Sequence, residues 1–217
     1  MRFRSSLAIF ALVVVSNCVA RADTVYSTFG PGQSYDKVNG GYDLGNVLNI
    51  NQVIAVPFVP TETVTLTDAM LALQQLDGSG SMKVFIESSS NGAPGSVLDT
   101  LTQHGKIKSF RPSLVDFTCS TCSVLDAGTM YFLVAQENGG SLAEWQLALS
   151  DKGTIFDNSK GKSTGPWTKD PNSAFGAFEV NGTAYGTYAT PEPASFVLLG
   201  TGVLGAAGMA RRRFLPS

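Results

Sequence analysis

Met82-Lys83-Val84-Phe85-Ile86-Glu87 places Met82, Val84 and Ile86 on one side of an extended chain, with Lys83, Phe85 and Glu87 on the other. Alternation with a period of two marks a strand with one buried face. The beat recurs along the chain. Val115, Phe117 and Cys119 share a face, and Met130, Phe132 and Val134 lie opposite Tyr131 and Leu133. Trp145, Leu147 and Leu149 continue the pattern, and Phe175 with Ala177 closes it. Val64 and Leu66 point one way until Asp68 breaks the phase before Met70-Leu71-Ala72-Leu73. That break reads as a strand continuing past a bulge, not as a helix. Turn-forming clusters separate the runs: Asp77-Gly78-Ser79-Gly80, Asn91-Gly92-Ala93-Pro94-Gly95, Asp126-Ala127-Gly128 and Asn138-Gly139-Gly140. About eight short strands with frequent turns predict an all-β fold. A β-sandwich is expected, with the jelly roll as candidate topology.

The two ends do not belong to that pattern. Met1-Arg2-Phe3-Arg4 is a basic start, Leu7 to Val15 an unbroken apolar run, and Ala20-Arg21-Ala22 a small-residue cleavage pattern. In that order they read as an export signal peptide over residues 1–22, cut after Ala22. The apolar run is too short for a bilayer span, which takes about 20 residues. The rival reading, a lipoprotein signal acylated at Cys18, meets the poor flank Val15-Ser16-Asn17.

At the other end, Pro191-Glu192-Pro193 precedes an apolar stretch from Ala194 to Ala210, and Arg211-Arg212-Arg213 follows directly. As a helix rising 1.5 Å per residue that stretch would reach about 25 Å, a short transmembrane span. Positive flanks stay cytoplasmic, so the arginines are expected inside and the body outside, in agreement with the leader. Tripeptide, glycine-rich span and arginine cluster together resemble the PEP-CTERM sorting signal of Gram-negative bacteria. The resemblance implies that an exosortase, a membrane peptidase or transpeptidase, recognises Pro191, Glu192 and Pro193 while the span holds the substrate. The expected organisation is signal peptide 1–22, ectodomain 23–190 and sorting signal 191–217. Gly200-Thr201-Gly202-Val203-Leu204-Gly205 spells a dinucleotide fingerprint, but it lies inside the expected membrane span rather than after a strand in a βαβ unit.

Charge narrows the partners. Residues 23–190 carry nine Lys/Arg against sixteen Asp/Glu, the reverse of a surface that neutralises phosphates. No nucleic acid partner is expected. Cys119 and Cys122, in Cys-Ser-Thr-Cys, remain once the leader is removed. After export they read as a short-range disulfide clamping a turn; a redox site would need a helix N-terminus instead. One histidine, His104, and no second cysteine pair argue against zinc.

Catalysis is not expected. His104 has no serine or cysteine motif near it and reads as a lone surface histidine. Ser159-Lys160-Gly161-Lys162 and Gly161-Lys162-Ser163 match motif spellings without their context. A glycosidase pair is a matter of space, which sequence does not give. No cofactor or metal is expected. The aromatics Trp145, Trp167, Tyr26, Tyr35 and Tyr42 are the types that stack on sugars. Trp145 alternates with core-like residues, whereas Trp167 lies in the loop Thr164-Gly165-Pro166-Trp167-Thr168, which makes it the candidate glycan contact.

Asn91-Gly92-Ala93-Pro94-Gly95-Ser96-Val97-Leu98 and Leu125-Asp126-Ala127-Gly128-Thr129-Met130-Tyr131-Phe132-Leu133-Val134 are similar to the secreted choice-of-anchor R domains. That resemblance implies a β-rich bacterial module, with Pro94-Gly95 setting a tight turn and Asp126-Ala127-Gly128-Thr129 introducing a central strand. The functional expectation is a structural or adhesive module of the cell surface or extracellular matrix. A carbohydrate-binding module for exopolysaccharide is the alternative.

Overall fold

The computed structural model describes residues 22–47, 50–78, 80–186 and the single position Gly202. Ala20, Pro191, Glu192, Pro193, Arg211, Arg212 and Arg213 lie outside them, as does the expected transmembrane helix apart from Gly202. Among the described residues no helix is long and apolar enough to cross a membrane.

All strands belong to one unit of the chain, residues 21–186. They are β1 (Asp23–Ser27), β2 (Gly41–Val47), β3 (Ile50–Phe58), β4 (Val64–Asp77), β5 (Met82–Ser90) and β6 (Ala93–His104). Then follow β7 (Ser113–Thr118), β8 (Val124–Leu125), β9 (Tyr131–Glu137), β10 (Leu142–Asn158), β11 (Thr168–Gly176) and β12 (Phe178–Ala184). The fold is all-β and consistent with a sandwich. One layer runs β1-β12-β4-β7, extended by the first half of β10 and by β2; the other runs β6-β5-β9-β3-β10-β11. Three strands serve both layers. β3 pairs with β2 through Ile50–Gln52 and with β9 through Ile54–Phe58. β6 pairs with β5 and, through Thr102–His104, with β7. β10 pairs with β2 and β4 near Trp145, then with β3 and β11 near Phe156.

Among the described residues twelve strands take the place of the eight expected, and two are long: β4 has 14 residues and β10 has 17. In β4 the phase break has a visible cause. Leu66 and Asp68 oppose the consecutive residues Gly182 and Asn181, leaving Thr67 as the extra residue of a bulge. Val64 and Leu66 are buried before it; Ala69, Leu71 and Leu73 are buried after it. The expected Pro94-Gly95 turn is corrected. The β5–β6 hairpin turns at Asn91 and Gly92, with φ of 52° and 76°, the left-handed pair that two-residue hairpins favour. Pro94 sits inside β6 and is buried. Leu149, expected to follow Trp145 inward, is 55 % exposed. The register of β10 against β11 shifts between Leu147 and Lys152, which breaks the alternation there.

Between the layers lies the main core. Trp145, Phe58, Phe117, Phe178, Leu71, Leu73 and Ile86 are fully buried in it. Each contributes about 1.5–3 kcal/mol of burial. Phe178 is the hub of the aromatics, with ring centroids 5.9 Å from Trp145, 6.3 Å from Phe58 and 5.5 Å from Tyr26.

Candidate functional site

β9 is buried on both faces, which alternation alone did not suggest. Tyr131, Leu133 and Ala135 enter the main core, while Phe132 and Val134 join a second cluster with Val53, Ala55 and Phe156. This cluster covers the outer face of the second layer. Phe132 meets Phe156 edge-on at 5.4 Å, and Phe85, Ala93 and Trp167 pack against the group. Beside it is a depression of about 210 Å³ lined by Pro57, Gly92, Met130, Phe132, Thr154, Phe156 and Lys169. Its floor is aromatic, and Lys169 and Thr154 supply a charge and a hydroxyl, the mixture a small polar-edged ligand requires.

Trp167 is half-buried on this face. Its loop is fixed from beneath. Gln136 Nε2 donates to the carbonyl of Gly161 at 3.0 Å, and Asn158 Nδ2 donates to that of Lys162 at 2.6 Å. Asn158 Oδ1 accepts from the Lys160 N–H at 2.7 Å. Ser159-Lys160-Gly161-Lys162 therefore belongs to a surface loop tethered through its backbone.

Glu87 is the residue that sequence reading passed over. It is the cross-strand partner of Phe132, so alternation puts both on the outer face, and neither exposes any surface. Both carboxylate oxygens are buried without a hydrogen-bond partner. Burial raises the carboxyl from 4.5 to about 7, because a charge without water or a counterion is costly. The available signal was the unbroken apolar run Tyr131-Phe132-Leu133-Val134-Ala135, which marks a strand buried on both sides. Glu87, paired with Phe132 in that run, is buried with it, whereas Phe85 and Ser88, also paired with the run, are half-buried.

The other sequence candidates are dispersed. Cys119 and Cys122 are joined by a disulfide, with Cα atoms 5.6 Å apart, in the connection between β7 and β8. His104 is exposed at the end of β6, and its Nε2 is 2.7 Å from Thr118 Oγ1. Trp145 is fully buried, and its Nε1 donates to the carbonyl of Ala177 at 3.0 Å. Tyr35 is also buried, while the Tyr42 hydroxyl donates to the carbonyl of Ala174 at 2.5 Å. Tyr26 packs on Phe58 and Phe178. Trp145 and Tyr35 are interior and Tyr26 and Tyr42 pack half-buried against the main core, which leaves Trp167 as the candidate on the face of the depression. Ala22 is exposed immediately before β1. Among the described residues no three His, Cys, Asp or Glu side chains are grouped to hold a metal ion.

Residues 189–213 match the family model of the PEP-CTERM protein-sorting motif. The match contains Pro191, Glu192, Pro193 and Arg211, Arg212, Arg213. No curated protein matches the chain. The motif indicates an exported protein targeted to an exosortase and processed at the cell envelope.

Proposed function

We propose that this chain is a non-catalytic structural or adhesive module of the cell surface or extracellular matrix, delivered by its sorting signal. The observation that carries this reading is the sorting motif at residues 189–213, attached to a β-rich body. Residues 1–22 direct export, and the span from Ala194 to Ala210 holds the body outside until an exosortase acts near Pro191-Glu192-Pro193. The test is replacement of Pro191-Glu192-Pro193 by three alanines. Unprocessed precursor should then accumulate in the membrane, whereas deletion of residues 191–217 should release soluble protein. Normal processing of the alanine variant would remove the exosortase from the account.

A second reading is favoured by one feature, the half-buried Trp167 on the same face as the depression formed by Phe132, Phe156 and Lys169. On that reading the body binds a strand of exopolysaccharide there. Flat apolar faces suit sugar rings, and the lysine suits an acidic sugar.

A further inference from the structure

From Thr100 to Val115 the otherwise acidic body contains no Asp or Glu, yet it carries Lys106, Lys108 and Arg111. All three are exposed, as are Ser109 and Phe110. Among the described residues none of these three cations makes a side-chain hydrogen bond or an ion pair. Phe110 stands out twice. It is 75 % exposed, and its φ of 51° is left-handed, a conformation that bulky side chains seldom adopt.

The loop is held in this form. Ile107 is buried as its plug, 3 % exposed within the main core. The Gln75 N–H donates to the carbonyl of Lys108 at 3.0 Å, and the Phe110 N–H donates to that of Gln75 at 2.8 Å. Ser109 Oγ donates to Gln75 Oε1 at 3.3 Å, and Gln103 Nε2 donates to the carbonyl of Gly105 at 2.9 Å. These bonds fix the backbone in the conformation that leaves the phenyl ring in water. Glycine would fit the same backbone without strain, so the fold does not call for a phenylalanine there.

We infer that residues 105–111 form a docking finger for an anionic lipid surface, with Phe110 entering the interface and Lys106, Lys108 and Arg111 meeting headgroup phosphates. Apolar tips flanked by cations bind such interfaces through both terms together. None of these residues lines the depression described above. Phe110 also lacks the polar edge of tryptophan or tyrosine, which suits an acyl boundary better than a sugar hydroxyl. Because the rest of the body is acidic, it would be repelled from the same surface, and the contact is made loop-first.

Hydrogen–deuterium exchange of the full chain reads this loop directly, independent of contacts made elsewhere. With vesicles of about 70 % phosphatidylcholine and about 30 % phosphatidylglycerol, exchange over 105–112 should slow roughly threefold. Pure phosphatidylcholine should leave it unchanged, and about 1 M NaCl, where the Debye length is about 3 Å, should abolish the effect. Phe110→Gly, which removes the ring, and the pair Lys106→Glu with Lys108→Glu should each lose the protection while still melting in one cooperative transition. Equal exchange with both vesicle types overturns the proposal, as does protection that survives these variants. Protection by soluble polygalacturonate but not by vesicles would also overturn it and assign the loop to an acidic glycan.

Discussion

The indole of Trp145 lies directly over Gly176: a Cβ at residue 176 would stand 2.3 Å from Cε2 of the ring. The indole cannot move aside freely. It is fully buried, donates to the carbonyl of Ala177 at 3.0 Å and meets Phe178 edge-on. Gly176→Ala is therefore expected to cost about 1–3 kcal/mol through overpacking. A urea denaturation midpoint, compared with that of the wild type, measures it; an unchanged midpoint would mean the ring is not so confined.

Glu87 gives the stability a pH dependence. Its carboxyl is raised from 4.5 to about 7 by burial, so the folded chain holds the proton more tightly than the unfolded chain. The contribution is complete below about pH 4.5 and is lost as pH rises through about 7. Glu87→Gln should consequently raise stability at pH 8, by on the order of 1 kcal/mol after allowance for solvent screening. At pH 4 it should change little. Melting curves of both proteins across this range check the sign, and a larger gain in acid would reverse it.

The strand beat was legible because one face of β5, β7 and β4 meets a single apolar core. The bulge at Thr67 was legible for the same reason, as a one-residue slip of that beat. The outer-face site was not. Phe132, Phe156, Glu87 and Trp167 converge only through the order β5-β9-β3-β10, with strands brought together from four parts of the chain. Nor did composition distinguish the turn at Asn91-Gly92 from the neighbouring Pro94-Gly95. The two left-handed residues of the hairpin decide it, and that is a property of paired strands.

The disulfide should act as a local clamp. Cys119 and Cys122 are three residues apart in sequence, so the loop closed is short and the entropic gain is about 2 kcal/mol. Replacing both by serine should lower the denaturation midpoint accordingly without unfolding the body. Thiol titration of the denatured wild type should find no free thiol at these positions until a reductant is added.

If the depression holds a glycan, Trp167→Ala and Lys169→Ala should each weaken binding at least about tenfold, or about 1.4 kcal/mol. Isothermal titration against the cell's own exopolysaccharide measures this. Lys169 is exposed, so its loss tests the site without disturbing the cluster beneath. Binding that survives both changes would place the glycan elsewhere or remove it.

The intact mass of the protein recovered from its native envelope is the most direct test of the delivery route. The expected mass begins at Asp23, ends near Pro191-Glu192-Pro193 with or without an attached anchor, and is two hydrogens lighter for the Cys119–Cys122 bond. A full 217-residue mass recovered from the cytosol would contradict export, processing and the surface role together.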